Sequence, residues 1–170
     1  YIRSDKMLAV ATPSATNAER MLDSLRSALG SLQAVPLEYK QPGHTLMTNI
    51  FLGSGPDQFA LGRECRMKDL SDTKSTVNWL DMDLADSSIR AHVKAGLSID
   101  RLGIAFDSLL RCTLDQELVV RKIRLEGIEE LDDLDDEDPL ARHDAEFTLF
   151  CGLTTRLLGA LKKNLGGYAH

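Results

Sequence analysis

Apolar residues recur along this chain in two rhythms, and the points where one gives way to the other mark out its elements. Ala18, Met21, Leu22, Leu25, Leu29 and Leu32 return every three or four residues, the spacing of an amphipathic helix. Ahead of them Thr16 and Glu19 have the form of a capping box. The apolar run Met7 to Ala11 and the segment Ala34 to Tyr39, with Pro36 suited to an edge, predict strands on either side of that helix. Gln41-Pro-Gly43 predicts a turn and Thr45 to Leu52 a short helix. Gly53-Ser-Gly-Pro56 is the most linker-like stretch. A boundary there divides a strand-helix-strand segment, residues 1–56, from residues 57–170.

Beyond it, Gln58 to Leu70 and Thr76 to Leu84 read as two strands of a hairpin or meander. Asp86-Ser-Ser88 predicts the cap of a helix carrying Ile89, Val93 and Leu97. From Arg101 the rhythm is two: Leu102, Ile104, Phe106, Ser108 and Leu110 point one way, and Arg101, Gly103, Ala105, Asp107, Leu109 and Arg111 the other. A turn at Thr113 to Glu117 leads to a partner strand, Leu118 to Leu125. Strict alternation there puts Val120, Lys122 and Arg124 on one face and Arg121 and Ile123 on the other. Asp138-Pro139 sets a good N-cap before a proline at the first helical position. Phe147, Phe150, Leu157, Leu158, Leu161 and Leu165 then trace a long C-terminal helix stopped by Gly166-Gly167. The class expected is α+β, a mostly antiparallel sheet with amphipathic helices.

Composition narrows the class further. With 43% hydrophobic and 27% charged residues, the chain is globular rather than disordered. No stretch approaches the roughly 20 apolar residues of a membrane span, so no membrane partner is expected. Three scattered cysteines, Cys65, Cys112 and Cys151, argue against a disulfide framework and fit a reducing cytoplasm. The chain opens on Tyr1 rather than Met, which suggests a piece of a longer protein.

The net charge of −6 hides an uneven distribution. Residues 126–138 hold nine carboxylates and no base, and setting them aside leaves 20 basic against 17 acidic residues. A solvated negative surface is the plain reading of such a block; a sharper one is a negative exterior that steers a polyanion toward a basic side. The densest cluster of bases outside Lys162-Lys163 is Arg121, Lys122 and Arg124. Arg101 and Arg111 lie on the neighbouring strand, and Arg90 and Lys94 share one helix face at i and i+4. A half-exposed antiparallel sheet commonly carries Lys and Arg outward for solvation alone. No aromatic residue interleaves with these bases, so stacking on single strands has little support while contact with a phosphate backbone stays open.

Enzymatic chemistry leaves no comparable trace. No pair among the cysteines and His44, His92, His143 and His170 has zinc-ligand spacing. His143, Asp144 and Glu146 fall within one turn of a helix start, where acidic residues favour the helix dipole. There is no phosphate-binding glycine loop and no nucleophile elbow. Cys65, flanked by Arg63 and Arg66, reads as a buried strand residue. No cofactor, metal or catalytic residue is expected.

Leu25-Arg-Ser-Ala-Leu-Gly-Ser-Leu-Gln-Ala-Val-Pro-Leu37, Ile89 to Gly96, Arg121-Lys-Ile-Arg-Leu125, Arg142-His-Asp-Ala-Glu-Phe-Thr-Leu149 and Leu165-Gly-Gly167 resemble, in collinear order, segments in the C-terminal half or slightly more of the bacterial recombination-associated RdgC family. The resemblance implies a non-enzymatic protein of the cytoplasmic nucleoid: a ring-shaped homodimer that encloses double-stranded DNA without sequence preference and restrains RecA-driven recombination. It implies DNA contacts at Arg101, Arg121, Lys122 and Arg124, to which the basic helix face adds Arg90 and Lys94. Where that family carries a Lys-Lys-Gln motif before an Asp-Leu, this sequence reads Leu80-Asp-Met-Asp-Leu84, which removes charge from a candidate contact. The competing readings are a protein-interaction module without DNA affinity of its own and, because acidic clusters stand near basic strands, a metal-dependent nuclease.

Overall fold

The computed structural model describes residues 1–72, 75–126 and 139–169. The chain divides into two compact units, Tyr1–Glu38 and Tyr39–His170.

The first unit is organised by helix α1, Ala15–Leu29. Its cap is Ser14, whose hydroxyl accepts the Asn17 N–H at 3.3 Å, rather than the expected Thr16; Ser14 is the residue in extended conformation immediately before the helix, as an N-cap must be. Arg26 pairs with Asp23 at 2.8 Å along the same helix. No residue of α1 is buried, and Met21 and Leu29 on the apolar stripe are exposed. The strands expected at Met7 to Ala11 and Ala34 to Tyr39 do not form. Met7 makes only an isolated bridge to Ile2, and Tyr39 one to Tyr168 within the second unit. An apolar run becomes a strand only where a neighbouring strand takes up its backbone groups, and among the described residues none does so here.

The second unit is α+β. Among its described residues, five antiparallel strands form one sheet in the order β2-β1-β3-β4-β5: β1 Phe59–Asp69, β2 Thr76–Trp79, β3 Leu97–Phe106, β4 Leu110–Asp115 and β5 Val120–Leu125. Three helices accompany it, α2 Gly43–Leu52, α3 Ser87–Lys94 and α4 Pro139–Asn164. Met47, Ile50 and Phe51 of α2 and Leu153, Leu157 and Leu161 of α4 meet Met67, Leu102, Ile104, Phe106, Leu110 and Leu114 of the sheet in one core. Because α2 supplies that core, the expected boundary after residue 56 falls inside this unit. Gly53 ends α2 in the left-handed conformation, Asp86 caps α3 by accepting the Ser88 N–H at 2.7 Å, and Gly166 and Gly167 close α4 at positive φ.

Two backbone details decide which side chains face away from the helices. Asp107 and Ser108 both take left-handed φ and make a tight turn, so the expected run from Arg101 to Arg111 is two strands, β3 and β4. On β5, Lys122 is also left-handed, with φ of 51°, and the pairing with β4 slips between Arg111 and Thr113. Such a bulge puts two residues opposite one and reverses the alternation beyond it. The expected faces are therefore regrouped: Val120, Ile123 and Leu125 pack against the core, while Arg121, Lys122 and Arg124 share the outward face. The acidic stretch 127–138, including Asp138, lies outside the described residues.

Candidate nucleic-acid interface

Outward positions on β1, β3, β4 and β5 assemble the basic face. Phe59, Leu61, Cys65 and Met67 of β1 belong to the core side, which leaves Glu64, Arg66 and Lys68 outward. Beside them stand Asp100 and Arg101 of β3, Arg111, Thr113 and Asp115 of β4, and the three bases of β5. Four of the six expected contacts, Arg101, Arg121, Lys122 and Arg124, are thus brought onto one surface. Arg90 and Lys94 are not. They lie on α3, whose Ile89 joins the core on the helical side, and the Arg90 guanidinium lies beside Gly53 at the end of α2.

Most of the bases are held by carboxylates, and for Arg66, Lys68 and Lys122 the carboxylate comes from a strand distant in sequence. Lys122 Nζ donates to Glu64 Oε2 at 2.6 Å, and the Thr113 hydroxyl donates to the other oxygen. Arg66 and Lys68 both reach Asp100, whose side chain is 7% exposed. Arg121 donates to Asp115 at 3.0 Å, and Asp115 also accepts the Val119 N–H at 2.8 Å, tying β5 to the end of β4. Arg111 pairs with Glu126 at 3.0 Å. Arg124, exposed, has no ion pair among the described residues. Arg101 has its Nε–H buried without an acceptor. Glu64, Cys65, Arg66, Asn78, Leu80, Arg101 and Lys122 line a shallow hollow of about 80 Å³ on this surface. The Leu80-Asp81-Met82 departure borders it, and Asp81 binds Arg63 at 2.6 Å, neutralising a further base of β1.

These pairings leave a titration signature. Burial pushes the Glu64 carboxyl up, but hydrogen bonds from Lys122 and Thr113 and the charges of Lys122 and Arg101 outweigh it, holding the group below its ordinary range. Asp100 behaves likewise: burial raises it, and Lys68 and Arg66 bring it down further than that. A carboxyl depressed on folding stabilises the protein above its unfolded value, about 4.3 for Glu and 3.9 for Asp, and that contribution is lost as pH falls through the folded value. The urea midpoint is therefore expected to stay nearly level from pH 7 to pH 5 and to fall below about pH 4, less steeply in Asp100→Asn. A midpoint that dropped mainly between pH 7 and pH 5 would contradict this assignment.

Other candidate groups stand apart from this face. Cys65 and Cys112 are buried among apolar side chains, which pushes both thiols up to about 12; the bases flanking Cys65 in sequence do not activate it. Glu146 pairs with Arg142 at 3.1 Å along α4. Among the described residues no cluster of three His, Cys, Asp or Glu is placed to hold a metal ion, and no helix is long and apolar enough to cross a membrane. What sequence reasoning missed is the set of internal anions. The alternation of Glu64, Arg66 and Lys68 along β1 was available as a signal for an outward charged strand, but the partners Asp100 and Asp115 depend on register.

A family model described as "Putative exonuclease, RdgC" matches residues 2–168. The recombination-associated protein RdgC of Shewanella oneidensis is 34% identical over 167 residues, which are 95% of this chain and 54% of that protein. Those of Shewanella baltica and Shewanella halifaxensis are 33% and 29% identical with the same coverage. The chain spans about half the length of the curated relatives it matches.

Proposed function

The chain belongs to the RdgC family, and from that premise we propose that it binds double-stranded DNA through the outward face of its sheet, without regard to sequence, as a component of a ring-forming homodimer that restrains RecA-mediated recombination in the cytoplasmic nucleoid. The observation that carries the reading is the gathering of Arg66, Lys68, Arg101, Arg111, Arg121, Lys122 and Arg124 on a single sheet face, where they outnumber the carboxylates that pair with them. Lys and Arg gathered on one surface suit phosphate contact, which positions a duplex but reads no bases. Stacking platforms for unpaired bases are missing from the described residues of this face, which favours duplex over single strands. Self-association draws its support from apolar side chains left at the surface, Met21 and Leu29 of α1 and Phe147 of α4.

The test is a duplex titration across salt concentrations, with scrambled sequences as comparators. Affinity of about 10⁻⁴ to 10⁻⁶ M at physiological salt is expected, with log K falling linearly against log salt. Salt-independent binding, or strong preference for one duplex, would sink the reading. Incubation with Mg²⁺ or Mn²⁺ belongs in the same series. No cleavage above buffer is expected, because Glu64, Asp100 and Asp115 are each engaged by bases instead of converging on a common point. Cleavage abolished by Asp144 or Glu146 substitution would transfer the case to a nuclease.

A further inference from the structure

We propose that the hollow between Arg66, Arg101 and Lys122 is a seat for one phosphate group, held shut by Glu64 acting as an internal stand-in for that phosphate. This rests on reading the sheet face as a duplex surface and gives that surface a built-in threshold. Four observations converge. Three cationic side chains from three strands line one small depression. Arg101 lines it, and the Nε–H of the same side chain is buried without an acceptor among the described residues, a donor that is costly until an oxygen reaches it. Glu64 already occupies the position of an oxyanion, with one oxygen on the Lys122 ammonium and the other on the Thr113 hydroxyl. Gly103 makes room for it: a Cβ there would stand 2.8 Å from the Glu64 Cγ.

A phosphodiester oxygen offers Lys122 the same charge-assisted hydrogen bond that Glu64 does, and it offers Arg101 an acceptor that Glu64 does not supply. Exchange is then close to neutral for Lys122 and favourable for Arg101. A lone phosphate must compete with a tethered carboxylate, whereas a duplex anchored by neighbouring bases such as Arg124 brings its phosphate at high effective concentration. Glu64 would thereby suppress binding of small anions while permitting a polyanion.

The experiment compares the 170-residue chain with Glu64→Gln, which keeps an acceptor for Thr113, and with Glu64→Ala as a second way of removing the charge. Inorganic phosphate is titrated while the arginine Nε–H signals are followed by ¹⁵N NMR, and duplex affinity is measured in parallel. In both variants phosphate should shift the Arg101 signal at concentrations that leave the parent unmoved, and Arg101→Ala in the Glu64→Gln background should cancel the gain in duplex affinity. Duplex affinity should rise about one-and-a-half- to fivefold, the range expected for freeing one half-exposed ion-paired base, and the salt slope should stay at the parent's, because a duplex phosphate fills the seat in both. If the parent binds duplex but neither variant gains affinity or responds to phosphate at Arg101, the seat is refuted and the duplex reading stands. If phosphate moves Arg101 in the variants while no protein binds duplex, the seat stands and the duplex reading fails. Phosphate effects that do not involve Arg101 would identify an adventitious ion only, and would overturn the proposal.

Discussion

Changing Lys122 and Arg124 together to Glu should weaken binding to every duplex alike, by about 30-fold or more at 0.15 M salt, since each lost phosphate contact forfeits the release of roughly 0.9 counterion. The salt slope should become shallower by nearly two units. The two single variants carry different internal controls. Arg124 has no ion pair among the described residues, so Arg124→Glu should leave stability within about 0.5 kcal/mol, as is usual for surface positions. Lys122→Glu instead sets a second carboxylate against Glu64, from which Lys122 Nζ stands at 2.6 Å. Any fall in Tm should therefore be confined to that variant and to the double one. The interaction-module reading makes the opposite forecast: duplex affinity stays where it was and self-association changes, which sedimentation velocity would register. That pattern would remove the β5 bases from the DNA surface.

The same residues show how far sequence reasoning reaches. Bases on β5 were legible as a cluster, and the alternation from Arg101 identified Leu102, Ile104 and Phe106 as the core residues of β3, because a sheet with one buried face must repeat with period two. The bulge was not legible. A single lysine with φ of 51° shifts Lys122 and Arg121 onto the same side, and no local pattern announces it. Ion pairs were further out of reach: Glu64 and Lys122 lie 58 residues apart and meet only through the β1-β3-β4-β5 order. Helix ends fared better where the stop is chemical, as at Asp86, Gly53 and Gly166, since a side-chain acceptor or a glycine suffices without tertiary context. Met7 to Ala11 failed for the converse reason, as strands depend on a neighbour.

Phe106→Ala should cost about 3 to 5 kcal/mol, the range for deleting a fully buried aromatic side chain. Phe106 is completely buried, and its ring lies 5.3 Å from that of Phe59 at 51°, on the strand paired with its own. Truncation removes the tilted aromatic contact together with apolar burial, and a packed core refills such a gap only in part. Against a total of about 5 to 15 kcal/mol for a typical domain, that loss is a large share. The urea midpoint should fall with the m-value unchanged, and Phe106→Leu should recover most of the loss. Position makes the result informative about function as well. Phe106 belongs to the core side of β3, where Leu102 and Ile104 also point, while Arg101 faces away from the helices. At a temperature where the variant remains folded, its salt slope for duplex binding should equal the parent's, because none of the bases has moved. A loss below about 1 kcal/mol, far under the expected range for such a deletion, would mean that this end of the sheet is not packed as described. A changed slope in fully folded protein would mean that the two faces of the sheet are not separate in the way that the register of β3 and β4 requires.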